Sequence, residues 1–259
     1  FIGKEGITET IIGRWLAQGG GRRERVILTT KVYEDMKNPY DGPNSEPGLT
    51  RYKIRRHLKE SLERLQTDHL EIYFLHHIDR EMNLEEVIDT FSYLVMQGTV
   101  DYMATSNFPG WALADIAAAA RERKIFGPIC EEHKYNLCCR LPELEVLPSA
   151  RAHGMGMITY SPLGGGMLVN AAEEAKKNPD GQLARFVSLC GELGEDPKTV
   201  ALAWILHNPD VTAPLIGPAN VAELEDCLKA LSVRLPEDFL RKRDGIFPGP
   251  GVAPEAYAW

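Results

Sequence analysis

Hydrophobic and polar positions alternate with two periods along this chain, short apolar β-rich runs followed by stretches with a helical stripe. Residues 26–32 (VILTTKV) are β-branched and compact, which predicts a buried strand. Over residues 50–65, Ile54, Leu58, Ser61, Leu62 and Leu65 fall on one helical face. Residues 70–76 (LEIYFLH) predict the next strand. A helix then opens at Asn83, with Glu86 three residues on, and stops at Gly98. Its expected stripe is Leu84, Val87, Ile88, Phe91, Leu94 and Val95.

The alternation continues with strands over 100–105, 129–132, 156–160 and 213–216 and helices over 111–123, 144–153 and much of 183–207. A helix over 7–18 precedes the first strand, and one opening at Asn220 carries Leu224, Leu228 and Leu231. Residues 237–243 predict a terminal helix, and the Pro/Gly-rich tail reads as irregular. One helix per strand implies a parallel sheet, either open and doubly wound or closed into a barrel. No Gly-x-Gly-x-x-Gly turn follows an early strand, which lowers the dinucleotide-sheet reading. Read as a barrel, the pattern is a single domain over 1–259 with two strands missing at the front.

Composition narrows the classes. The net charge of −8 argues against a nucleic-acid or acidic-membrane surface. No apolar run reaches the roughly 20 residues of a membrane span, and the first residues do not form a signal peptide. Five cysteines without a CxxC fit reduced thiols in a cytoplasm.

Candidate chemistry gathers at strand ends, where a parallel barrel carries its active site. Lys31, His76 and Ser106-Asn107 stand there. A lysine is seldom buried without a partner or a function, and an exposed position just past the strand is the bland alternative. For His76 the alternative is a hydrogen-bonded core histidine. The pair His76-His77 raises a metal, but alternation along a strand would send the two rings to opposite faces, so no metal site is expected.

Seven segments in order carry a resemblance: residues 26–31 (VILTTK), 75–79 (LHHID), 105–108 (TSNF), 135–137 (YNL), 160–163 (YSPL) and the later pieces AWIL and LIG. Together these resemble the aldo-keto reductases over nearly the whole chain. The resemblance implies an α/β fold of the (β/α)8 TIM-barrel kind, with the first strands lying outside the sequence. It also implies an NAD(P)H-dependent reductase of a carbonyl or conjugated enone. The family's catalytic group is a tetrad of Asp, Tyr, Lys and His. Lys31 and His76 match its lysine and histidine, and nothing matches the Asp-x-Ala-x-x-Tyr segment, so the sequence is expected to be N-terminally incomplete, with residues 1–6 the remnant of a loop.

By the same resemblance, Ser106, Asn107 and Glu132 would meet the nicotinamide carboxamide and Tyr160 its ring, with Ser161 and Leu163 near the pyrophosphate. Gly217, Ala219, Glu223, Asp226 and Cys227 would surround the adenosine and its 2′-phosphate. Glu132 replaces a usual glutamine and can only accept hydrogen bonds when ionised. Ala219, Glu223 and Cys227 also depart from the family pattern, so NADPH is the expected cofactor with NADH compatible. Phrases such as LHHIDR and EHKYNL resemble actinobacterial reductases, some acting on nucleotide-linked deoxysugars. The expected partners are a small carbonyl or nucleotide-sugar substrate and, at most, a second copy of the chain, without nucleic acid or membrane. One alternative is a regulatory subunit like the potassium-channel beta subunits, which usually lack a histidine at the position of His76. Another is a barrel enzyme forming a Schiff base on Lys31.

Overall fold

A computed structural model describes residues 6–37, 42 and 45–258. The loop remnant expected over residues 1–6 falls almost wholly outside the described residues. Two compact units divide the chain, Phe1–Glu131 and Glu132–Trp259.

The first unit opens with α1 (Ile7–Leu16), followed by β1 (Thr29–Val32), α2 (Arg51–Leu65), β2 (Leu70–Leu75), α3 (Leu84–Met96), β3 (Val100–Ser106) and α4 (Gly110–Glu122). The strands β1, β2 and β3 are parallel neighbours in that order. Lys31 stands opposite Phe74, and Leu75 opposite Thr105. The start of β4 (Cys130–Lys134) joins them through the Ile129 N–H, which donates to the Met103 carbonyl at 2.9 Å. Two near-fully buried rings, Tyr73 and Phe74, come from the centre of β2, where alternate residues meet helices on one side and neighbouring strand side chains on the other.

Local chemistry explains the helix starts. Thr50 caps α2 by accepting from the Lys53 N–H, and Asn83 caps α3 by accepting from the Glu86 N–H. The expected α3 stripe is corrected at one position. Val95 is 44% exposed, whereas Thr90 is buried and returns its hydroxyl to the Glu86 carbonyl at 2.6 Å. A hydroxyl bonded within its own helix can be buried at little cost. The first strand is also shorter than expected. Ile27 is 73% exposed, and the Leu28 N–H donates to the Glu71 side-chain carboxylate on β2 rather than to a backbone carbonyl of that strand.

Helix α1 docks on α2 at closest approach through Gly13, where a Cβ would lie 2.2 Å from the Arg64 carbonyl oxygen. Glu9 fastens the same contact, accepting from the Arg64 guanidinium at 2.6 Å and from the Thr30 hydroxyl at 2.6 Å.

The second unit holds the rest of β4, then α5 (Val146–Ala152), β5 (Gly156–Tyr160), α6 (Ala171–Lys177), α7 (Gln182–Leu193), α8 (Pro197–His207), β6 (Ala213–Pro214), α9 (Val221–Leu228), α10 (Glu237–Asp244) and α11 (Glu255–Ala258). β5 and β6 are parallel. The strand expected over 213–216 narrows to two residues, although the Leu215 N–H still reaches the Thr159 carbonyl at 2.7 Å. Helix α6 lies where the sequence pattern predicts no element, and the tail read as irregular ends in the short α11. The leucines expected to pack along α9 are instead exposed: Leu224 38%, Leu228 49% and Leu231 67%.

A buried aromatic and ionic cluster organises this unit. The Tyr135 hydroxyl donates to Glu143 at 2.7 Å and accepts from Asn208 at 3.0 Å. Arg140 binds the same Glu143, and Arg243 lies over the Trp204 ring at 4.9 Å. Burial first, and then the Glu143 carboxylate, push the Tyr135 phenol well above its usual pKa. It therefore stays a neutral donor. Among the described residues, no helix is long and apolar enough to cross a membrane.

Candidate active-site residues in each unit

Three adjacent parallel strands of the first unit end at the same level, and the polar residues read from sequence sit at those ends. Lys31 is the third residue of β1, half-buried, with its ammonium 5.1 Å from the centre of the Phe74 ring. A cation over an aromatic face recovers part of its lost hydration. His76 directly follows β2, its N–H held by the Val32 carbonyl at 2.9 Å. Burial lowers the His76 pKa to about 4, with the charges of His77 and Lys31 adding to the effect. The imidazole is therefore neutral at physiological pH, one ring nitrogen a donor and the other an acceptor. The lysine and the histidine are electrostatic neighbours.

Ser106 closes β3 fully buried. Asn107 takes a left-handed conformation (φ 58°) that asparagine tolerates better than most residues. Its carboxamide donates to the His76 carbonyl and to the Ser106 hydroxyl, each at 3.0 Å. This turn ties the end of β3 to the end of β2. The Phe108 N–H then donates to the buried Glu131 carboxylate at 3.0 Å, a support that sequence reading missed. The signal available was a pair of adjacent glutamates, Glu131 and Glu132, within a run expected to be a strand.

The geometry overturns the expectation that His76 and His77 face apart. Both lie beyond the last residue of β2, where strict alternation no longer applies, and their ring centres are 4.5 Å apart. His77 also lies edge-on to Tyr33 at 5.2 Å and has its Nε2 3.4 Å from a Glu34 carboxylate oxygen. A separate cleft of about 1090 Å³ between α2 and α3 is lined by none of these residues. Its cations are engaged within the fold, Arg23 with Glu71, Arg55 over Tyr93 and Arg56 with Glu60.

In the second unit, Glu132 is buried on β4 and Tyr160 ends β5, partly exposed. The turn that follows is held open by backbone conformation. Ser161 has φ 52°, and Gly164, Gly165 and Gly166 have φ of 61°, 66° and 98°. Glycine adopts these angles freely, whereas the serine is strained. Asn136 donates to the Ser161 carbonyl at 2.9 Å and fixes the turn, with Leu163 half-buried at its centre.

Gly217 and Ala219 are exposed before α9. Asn220 caps that helix by accepting from the Glu223 N–H at 3.0 Å, while Glu223 accepts from the Ala219 N–H at 2.8 Å and from the Asn220 carboxamide at 2.9 Å. Glu223 thus answers the cap through the N–H of the residue before it, a variant of the capping box. Asp226 is held by Lys198 and Lys229, and Cys227 is half-buried one residue on.

Comparison with known proteins identifies the family. The aldo/keto reductase family matches residues 4–247. The chain is 51% identical to the uncharacterized oxidoreductase YrpG of Bacillus subtilis, over 98% of this chain and 82% of that protein. It is 27% identical to a probable voltage-gated potassium channel subunit beta of Arabidopsis thaliana, over 97% of this chain and 83% of that protein. It is also 27% identical to norsolorinic acid reductase A of Aspergillus parasiticus, over 94% of this chain and 65% of that protein. The parallel βα repeats found in each unit are the repeating element of that family's (β/α)8 barrel. The chain belongs to the aldo/keto reductase family, whose enzymes are NAD(P)H-dependent oxidoreductases.

Proposed function

We propose that this enzyme reduces a carbonyl group with NADPH, accepting NADH less well, and that Lys31 and His76 act at the reacting oxygen. The observation that carries the reading is the meeting of a lysine and a neutral histidine at one end of adjacent parallel strands. A bound nicotinamide supplies hydride. As hydride reaches the carbonyl carbon, negative charge grows on the oxygen, and donors aimed at that charge lower the barrier. The neutral imidazole of His76 offers one N–H to the oxygen without bringing a full charge into the site. In the family the proton that completes the alcohol comes from the tetrad tyrosine, and Lys31 would supply the positive charge that lowers that phenol's pKa and stabilises the developing oxyanion.

The residues present fit a dinucleotide, unit by unit. In the first, Asn107 and Ser106 form a polar strand-end turn suited to a carboxamide, and the Asn107 contact with the His76 carbonyl couples that turn to the catalytic histidine. In the second, Tyr160 offers an aromatic face, the left-handed turn at Ser161 and Leu163 allows close backbone approach to a pyrophosphate, and Glu132 offers an acceptor. The N-terminus of α9 suits an anion. There the Glu223 carboxylate already occupies the Ala219 N–H, so a 2′-phosphate must displace it, which narrows any preference for NADPH over NADH. Gly217, Asp226 and Cys227 complete the proposed adenosine side.

The proposed substrate class is a small carbonyl compound, with nucleotide-linked deoxysugars first on the panel. A cytoplasmic location fits the five free cysteines. The test is NADPH oxidation against aldehydes, ketones and nucleotide-linked keto sugars. Turnover with at least one carbonyl class supports the reading, and cofactor binding without turnover of any class contradicts it.

A further inference from the structure

Glu34, His76 and His77 form a three-ligand group, the one such group among the described residues, with one donor atom from each within 4.8 Å of the others. Its members come from two chain segments, Glu34 two residues past β1 and the histidines directly past β2. The strand pairing that carries the Val32 carbonyl to the His76 N–H brings them together.

We propose that this group is a binding site for a zinc-like divalent cation, and that occupying it switches the enzyme off. Two imidazoles and one carboxylate are the donor set that borderline cations such as Zn²⁺ and Co²⁺ prefer, with a fourth position left for water. Ligand bonds of about 2.0–2.1 Å in a tetrahedron place donor atoms about 3.4 Å apart. His77 Nε2 and the Glu34 oxygen are already 3.4 Å apart. The two rings are tilted by 32° with centres 4.5 Å apart, and Tyr33 braces His77 in a T-shaped contact. All three donor atoms lie within 4.8 Å of one another, so binding requires the exposed Glu34 and one imidazole to turn inward by side-chain rotation. Lys31 opposes the ion's charge, so the affinity is that of a regulatory site rather than a permanent one.

The inhibitory consequence rests on the role proposed for His76, whereas the binding does not. A coordinated imidazole is turned toward the ion and no longer presents its N–H to a carbonyl oxygen. Zinc at this position therefore removes a hydrogen-bond donor that the reaction uses.

Cobalt titration followed by its visible absorption, with zinc competition, reads the binding directly. Wild-type protein is expected to take up one Co²⁺ per chain in a four-coordinate spectrum that Zn²⁺ abolishes. His77→Ala and Glu34→Gln should each weaken binding at least tenfold, while a Cys138→Ser, Cys139→Ser double variant binds as wild type. In turnover assays, Zn²⁺ should inhibit the wild type reversibly to chelator and leave His77→Ala active at the same concentration. Binding unchanged in both His77→Ala and Glu34→Gln, or lost with the cysteines instead, overturns the site. Binding that depends on His77 and Glu34 but leaves turnover intact upholds the site and contradicts the role given to His76.

Discussion

The His76 N–H donates to the Val32 carbonyl oxygen at 2.9 Å, so the histidine begins where the β1–β2 ladder ends. That bond sets how far along its strand the imidazole sits relative to Lys31, which stands opposite Phe74 two residues earlier. Parallel register makes the arrangement rigid, because a slip of one residue would turn Lys31 to the other face of the sheet.

The low pKa of His76 has a consequence for stability. Its value falls from 6.5 to about 4 on folding, chiefly through burial. Between those pH values the unfolded chain binds a proton at this site and the folded chain does not, so stability rises with pH across the window. Above pH 6.5 both states are neutral and the effect is flat. The side chain is partly exposed, so solvent screening leaves about 1–2 kcal/mol of the full linkage. Urea unfolding at pH 4.5 and pH 7 should show that difference in the wild type and a smaller one in His76→Asn. An equal difference in the two proteins would contradict the assignment.

Gly13 offers a test of the α1–α2 contact. Alanine is about 1 kcal/mol better than glycine inside a helix, so a free surface would gain stability from Gly13→Ala. Here the new methyl would lie 2.2 Å from the Arg64 carbonyl, an atom that cannot rotate away. Overpacking of this kind costs about 1–3 kcal/mol. Denaturant unfolding should therefore show net destabilisation, and any gain would mean the helices are not so close.

Nucleotide preference should respond to Glu223. Its carboxylate sits on the Ala219 N–H at 2.8 Å, in the place proposed for an added phosphate. Glu223→Gln keeps the shape and removes the charge. The expected result is several-fold tighter NADPH binding with little change for NADH, read by fluorescence titration. Equal changes for both nucleotides would locate the 2′-phosphate elsewhere.

Legibility in the sequence followed the physics of each element. The long helices and the central strands were readable because their apolar period spans many residues, as in α2 and β2. Asn83 and Asn220 announced helix starts through their own side-chain chemistry. Lys31, His76 and Ser106-Asn107 were readable as strand-end polar residues, and the register of three strands brings them level. The relation of His76 to His77 was not readable, because alternation holds only while a residue is inside the ladder. Glu34 escaped notice for the same reason, being a loop residue whose neighbour is set by strand pairing. The Tyr135–Glu143–Arg140 cluster draws on contacts that no short spacing announces, including Asn208 and Arg243 from far along the chain.

The most direct measurement is turnover and NADPH affinity for Lys31→Met and His76→Ala beside the wild type, using a carbonyl substrate that the wild type accepts. Loss of a group acting only on the developing oxygen charge should lower kcat by about 10²–10⁴-fold and leave the NADPH dissociation constant within a few-fold of the wild type. Undiminished kcat in both variants would contradict the account.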